Sequence, residues 1–304
     1  MADVSSTRPL VAQSLRRRRG IRPAPMFMSV LSRVAPNLVA RMLARAFVTP
    51  RRHKAPVREL NWLKDAGATP LRLSGGQIVP LYEWLPLSAR LVGRHPPTVL
   101  LVHGMSGRAG QMGGSAMALT RVGFRVVGFD APAHGAAPGN RLSLPELVEV
   151  VADVGTHLGP LAAVVAHSNG AAATVAALAG GMKAEKVALI APPENLSAYL
   201  NRLARHLGVS DKVAGKAQGI LEERYGVRFE ALRSGKLALG LGQPALIVHD
   251  CADRMVPISD GERLADSWTG AQMVRTNGLG HNRILRDETV QKRIQEFLSG
   301  GPGR

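Results

Sequence analysis

The sequence has a single cysteine, Cys251, among its 304 residues. That excludes an intramolecular disulfide, and with no HExxH or paired CxxC motif it leaves no metal site to expect. Aromatic residues make up only 4% of the chain, against 45% hydrophobic residues overall. Small aliphatic side chains must therefore do most of the packing, in a core that can still be large. No stretch of eighteen or more apolar residues exists, which excludes a membrane-spanning helix. The polar, basic opening also lacks the continuous apolar segment of a secretory signal. These absences set the cytoplasm as the expected location.

Acidic residues are scarce too, with 22 Asp and Glu against 39 Lys and Arg for a net charge of +17. Residues 1–60 hold thirteen of the basic residues and two of the acids, a net +11, and the other 244 residues carry +6. The basicity thus belongs to an N-terminal extension, 1–60, set apart from a domain expected over 61–304. Arg16 to Arg19 form an unbroken basic run. Phe27 to Val48 reads as one amphipathic helix, with Leu31, Val34, Leu38, Met42 and Leu43 or Ala46 along one side. Three readings of this region stay open: a solvated extension lying loosely on the domain, a helix lying on an anionic membrane surface, and a polyanion-binding arm. No specific nucleic-acid partner is expected, because no recognition motif or stacking pattern accompanies the run. On this reading the extension is dispensable for catalysis.

After residue 60, short β-like runs alternate with helical ones. Strands are predicted at Leu71–Leu73, Ile78–Trp84, Val99–His103, Arg125–Asp130, Ala163–Ala166, Lys186–Ile190, Ala245–His249 and Ala271–Thr276. Helices are predicted at Gly114–Val122, Leu144–Leu158, Ala171–Leu178, Ser259–Trp268 and Glu288–Leu298. The pattern is that of an α/β fold with a mostly parallel sheet covered on both faces. Ser143 before Leu144-Pro145-Glu146 supplies a cap, an early proline and an early acid, which mark a helix start.

Five strand ends carry polar turns. His103-Gly104-Met105-Ser106-Gly107 follows the third strand, Ala131-Pro132-Ala133-His134-Gly135 the fourth, and Ala166-His167-Ser168-Asn169-Gly170 the fifth. Asp250 and Asp253-Arg254-Met255-Val256-Pro257 follow the seventh, and Gly278-Leu279-Gly280-His281 comes last. A serine on a sharp strand-to-helix turn needs small residues two positions to either side, here Ala166 and Gly170. The chain order Ser, Asp, His and the His-Gly turn together resemble the α/β-hydrolase superfamily over roughly residues 69–299. Within it the likeness is to bacterial serine hydrolases of the esterase or serine aminopeptidase kind. Ala166 departs from the family's glycine at that position.

The resemblance implies Ser168 as nucleophile, His281 as general base and then acid, and Asp253 as the acid that orients the imidazole, with Asp250 the weaker candidate. It implies the backbone N–H groups of Met105 and Asn169 as oxyanion donors. His103 and His134 are expected to hold loops by hydrogen bonds, and His167 to point away from Ser168 or into adjacent packing. Cys251 is expected to pack as a small buried apolar residue. Residues 192–242 interrupt the alternation with helical stretches at Asn195–Leu203 and Val213–Tyr225, where relatives insert a lid. The function expected is cleavage of a carboxylic ester, less readily an amide or thioester, in a small-molecule acyl substrate. No cofactor is expected. Acyl transfer or perhydrolysis by the same triad and a non-catalytic binding role are the alternatives.

Overall fold

The computed structural model describes residues 25–87, 89 and 96–300. The Arg16–Arg19 run lies outside the described residues. The chain opens with helices α1 (Pro25–Val34), α2 (Pro36–Phe47) and α3 (Val57–Lys64). The single helix expected from Phe27 to Val48 is thus two, because the chain breaks at Ala35, with φ −131° and ψ 60°. Pro36 disfavours helical geometry in the residue before it, and its own fixed φ suits the first position of a new helix.

Among the described residues eight strands form one sheet: β1 (Gly67–Arg72), β2 (Ile78–Trp84), β3 (Thr98–Val102), β4 (Arg125–Phe129), β5 (Leu161–His167), β6 (Lys186–Ile190), β7 (Ala245–Asp250) and β8 (Gln272–Thr276). Their order is β1-β2-β4-β3-β5-β6-β7-β8. The first two pairings, β1 with β2 and β2 with β4, are antiparallel. From β4 onward all neighbours are parallel. A strand buried on both faces needs no polar alternation, and β3, Thr-Val-Leu-Leu-Val, is buried throughout.

Helices α4 (Gly113–Arg121) and α12 (Glu288–Ser299) cover one face. Helices α5 (Leu144–Leu158) and α6 (Asn169–Ala179) cover the other. Between β6 and β7 lie α7 (Leu196–His206), α8 (Asp211–Tyr225) and α9 (Ser234–Ala238). After β7 come α10 (Ile258–Ser267) and the single turn α11 (Gly280–Arg283). Ser143 caps α5 in a reciprocal box: its hydroxyl accepts from the Glu146 N–H at 3.3 Å while Glu146 accepts from the Ser143 N–H at 2.6 Å. The period-two alternation of β3 divides the core. Leu100 and Val102 join the apolar cluster with Leu147, Val151 and Ala171, whereas Val99 and Leu101 join the cluster with Leu119 and Ile294.

Composition changes near residue 60, but packing does not. Val39, Ala40, Leu43 and Ala44 of α2 are buried, and α2 packs chiefly on α8. Phe47 stacks on Phe229 at 6.0 Å and meets Tyr199 of α7 at 5.8 Å. The described part of the N-terminal extension is therefore a fitted layer on the domain, against the loose extension that charge counting suggests. Its arginines stay in solvent while its apolar inner face is covered, which a count of charges cannot register.

Candidate active site

The carboxyl edge of the sheet is where the backbone is strained. Among the described residues the non-glycine positions with positive φ are Ser106, Ala133, Ser168 and Ala191, at 62°, 67°, 52° and 49°. Each lies shortly after a central strand, β3, β4, β5 and β6 respectively. A side chain in that region costs about 1–3 kcal/mol unless the surroundings impose it, and the least bulky residues reduce the cost. Ser168 is held in the turn by its own N–H, which donates to Ile190 O at 2.9 Å, and by α6, which starts at once behind it. The turn admits no bulk on the neighbouring chain. A Cβ on Gly170 would stand 2.4 Å from the His103 carbonyl oxygen, and one on Gly104 would stand 2.8 Å from the Ser168 Cβ.

Three of the residues expected at the site come together. His281 Nε2 lies 2.9 Å from Ser168 Oγ, and His281 Nδ1 lies 2.6 Å from Asp253 Oδ2. A carboxylate can only accept, so Nδ1 carries the proton and the Nε2 lone pair faces the serine hydroxyl. Asp253 is fixed from behind by the N–H groups of Met255 at 2.8 Å and Val256 at 3.0 Å, both to Oδ1. Burial alone would raise its pKa. The neighbouring His249 and His281 imidazoles and the Val256 amide outweigh it and hold the carboxyl well below the usual range.

Asp250 does different work. It accepts from the Ala252 N–H at 2.9 Å, the Thr276 hydroxyl at 2.7 Å and the Leu279 N–H at 3.0 Å. One buried carboxylate thus ties the turn that carries Asp253 to the turn that carries His281. Burial opposes its charge, but the Gly280 amide, Thr276 and the other donors keep its pKa low.

Two histidines that sequence reasoning did not attach to the triad touch it. His167 Nε2–H donates to the His281 carbonyl at 3.0 Å, and the two rings lie 4.7 Å apart. Burial, and then the neighbouring His281, push the His167 pKa down to about 3, so the ring is neutral. His249 Nε2–H donates to Val256 O at 3.0 Å and stands 3.6 Å from Asp253 Oδ2, close enough to support the charge without a full hydrogen bond. The only sequence signal for either is its position: His167 next to Ser168, and His249 four residues before Asp253.

The His-Gly turn is braced from below. His103 Nε2 accepts from the Ala131 N–H at 3.0 Å while its Nδ1–H donates to Gly104 O at 2.8 Å. Burial pushes its pKa down to about 4. Asp130 accepts from the N–H groups of Ala109 at 2.7 Å and Ala136 at 2.8 Å and from the Tyr82 hydroxyl at 3.2 Å. His134 Nδ1–H donates to Pro132 O at 2.9 Å, and burial, followed by the neighbouring His103, pushes its pKa down to about 3. This bracing holds the Gly104 backbone close to Ser168, and Met105 follows Gly104 in the turn. Among the described residues the Met105 N–H has no acceptor. The Asn169 N–H, in the first turn of α6, has no helical acceptor either and lies at the positive end of the helix dipole.

The segment after α2 completes the rim. The Arg51 N–H donates to Ser106 Oγ at 2.8 Å. The Arg52 guanidinium donates to the carbonyls of Ala133 at 3.1 Å, Gly135 at 3.2 Å, Ala137 at 2.5 Å and Gly139 at 3.2 Å. Arg108, just beyond the His-Gly turn, pairs with buried Glu59 at 2.5 Å and donates to His53 O at 3.1 Å. Residues expected to be dispensable thus grip both loops beside the serine. Tyr199 of α7, packed against Phe47, has its hydroxyl pKa raised by burial, with Arg202 lowering it and Asp253 raising it. Cys251, expected to be buried, is exposed, because β7 ends at Asp250 and the turn swings the next side chain into solvent. Among the described residues no group of three His, Cys, Asp or Glu side chains has a metal-binding arrangement.

The sheet and the edge described above have the α/β-hydrolase fold. Residues 93–224 match the family described as serine aminopeptidase, S33, and residues 231–302 match the TAP-like protein family. Among solved structures, Est1E from Butyrivibrio proteoclasticus with bound ferulic acid is similar at 18% identity, with 76% of this chain and 98% of that one covered and a TM-score of 0.59. An esterase from Exiguobacterium antarcticum is similar at 12% identity, over 77% and 100% of the two chains, with a TM-score of 0.59. A hydrolase from Pseudomonas aeruginosa is similar at 19% identity, over 77% and 99%, with a TM-score of 0.58. At these identities the likeness is one of fold. No curated protein matches the chain.

Proposed function

We propose that the chain is a serine hydrolase that cleaves a carboxylic ester through an acyl-enzyme. The observation that carries this reading is the line Ser168 Oγ, His281 Nε2, His281 Nδ1, Asp253 Oδ2, with separations of 2.9 and 2.6 Å, at a strained turn. In this reading His281 Nε2 takes the hydroxyl proton as Ser168 Oγ bonds to the ester carbonyl carbon. The carbonyl electrons move to oxygen, where the Met105 and Asn169 N–H groups stabilise the oxyanion. The imidazolium, held in orientation by ionised Asp253, then gives its proton to the departing alkoxide. Water repeats the sequence on the acyl-enzyme and frees Ser168. In this reading residues 192–242, which include α7 with Tyr199, act as a lid that shapes the acyl pocket.

The test uses a fluorophosphonate probe and a series of p-nitrophenyl esters of rising acyl length. Wild-type protein labels at Ser168 and turns over at least one ester, while Ser168→Ala does neither and keeps its circular dichroism. A wild-type protein that resists the probe, or a Ser168→Ala variant that still hydrolyses the ester, would overturn the reading.

A further inference from the structure

Helices α1 and α2 have two faces, and only one is covered. Met28, Val39, Ala40, Leu43 and Ala44 are buried. On the outer side Phe27, Val30, Val34, Leu38 and Met42 remain 59%, 54%, 78%, 51% and 44% exposed. Steps of three and four residues set Phe27, Val30 and Val34 on one side of α1, and a step of four sets Leu38 and Met42 on one side of α2. Single exposed apolar side chains are ordinary, but five of them grouped on two helices in contact mark a contact surface.

The charges beside the stripe identify what it contacts. Arg33, Arg41 and Arg45 are exposed on the same two helices, and among the described residues none of them pairs with a carboxylate. Between Asp3 and Glu59 the sequence contains no acidic residue. The 24 residues preceding α1 add six arginines. A second copy of this surface would set arginine against arginine. A stripe with one aromatic residue offers little for bases to stack on. We propose that the outer face of α1 and α2 docks on an anionic lipid bilayer, the stripe entering the boundary between headgroups and acyl chains and the arginines meeting lipid phosphates. Since the inner face is already spent on α8, the protein can dock without unfolding this layer.

Cosedimentation of the full chain with phosphatidylcholine vesicles, with and without phosphatidylglycerol, tests the proposal. Two triple variants keep the exposed sites soluble: Val34→Thr with Leu38→Gln and Met42→Gln leaves the charge unchanged, and Arg33→Gln with Arg41→Gln and Arg45→Gln removes it. Wild type is expected to bind the anionic vesicles at low salt and to release them as salt rises. Each triple variant is expected to bind at least about tenfold more weakly, the apolar one because withdrawing one buried Leu or Met side chain already produces that loss and the arginine one because three attractions to lipid phosphate are lost together, with an unchanged thermal melt. Apolar-variant binding equal to wild type would place attachment elsewhere and overturn the proposal. So would equal binding to neutral vesicles, no vesicle binding at all, or a wild-type self-association that the apolar variant abolishes.

Discussion

At the carboxyl edge of the sheet, polar groups are buried and held by specific partners, and the backbone is bent into costly geometry to place them. In α1 and α2 the backbone is relaxed, the inner side chains are plain aliphatics, and the charges stand unpaired in solvent. The first region is over-determined: Asp253 accepts from two backbone amides besides His281, and Asp250 ties two loops together. The second is held by area and shape. Small chemical changes should therefore be costly at the edge in activity, whereas the N-terminal layer should answer mainly in stability.

The largest expected effect is on the triad. His281→Ala should lower ester turnover by about 10³-fold or more, and Asp253→Asn by a similar factor, because the members act as a unit. Asp250→Asn should leave more activity than Asp253→Asn and lower the melting temperature more, since its oxygens serve the turns. Steady-state kinetics and melts on the three proteins check this, and equal activity losses at the two aspartates would erase the division of labour.

Next comes Gly104→Ala. The new methyl would stand 2.8 Å from the Ser168 Cβ, so the His-Gly turn must move and carry the Met105 N–H with it. Misplacing one oxyanion donor costs about 10²-fold in kcat. KM should change little, and an unaltered kcat would mean that Met105 does not serve the oxyanion.

Arg52→Met sharpens the contrast from the N-terminal side. It removes the guanidinium from four carbonyls of the 133–139 turn. Hydrogen bonds to a charged group contribute about 1.5–3 kcal/mol, so a loss of about 2 kcal/mol is expected in urea unfolding. A neutral outcome would show that the turn holds itself.

The smallest effect is one of acidity. His103, His134 and His167 are buried and neutral, with pKa values pushed down to about 4, 3 and 3. An unfolded histidine titrates near about 6.5, so below that pH the unfolded chain binds more protons than the folded one. Stability is complete above about pH 6.5 and falls as the pH drops toward the folded values. Going from about pH 7 to 5.5 should cost about 1 kcal/mol for each ring. His134→Gln should flatten the melting temperature against pH by one such share. An unchanged slope would mean that this ring is protonated in the folded protein.

Much of the edge was legible in the sequence because each functional turn follows a run of buried β-branched and aliphatic residues, so strand ends could be located and the polar residues there read in order. Ser143-Leu144-Pro145-Glu146 likewise announced the start of α5 by its capping chemistry. What stayed hidden depends on contacts between distant segments. His167 meets the carbonyl of His281, 114 positions away, and Arg52 reaches a turn more than 80 residues downstream. The split at Ala35 was readable in Pro36, but the helical periodicity running across it masked the break. Val34, Leu38 and Met42 of the stripe read from the sequence are on the exposed side, and Val39, Ala40 and Ala44 of the covered face were outside it, because periodicity reports that a face is apolar and not what covers it.

Cys251 gives the molecule a built-in handle. It is the chain's one thiol, it is exposed, and its N–H donates to Thr276 O at 2.8 Å, so it rides on the junction between the acid turn and the strand leading to His281. A maleimide fluorophore would attach at that single point and report, without any engineered residue, whether the two turns move together when an acyl group occupies Ser168.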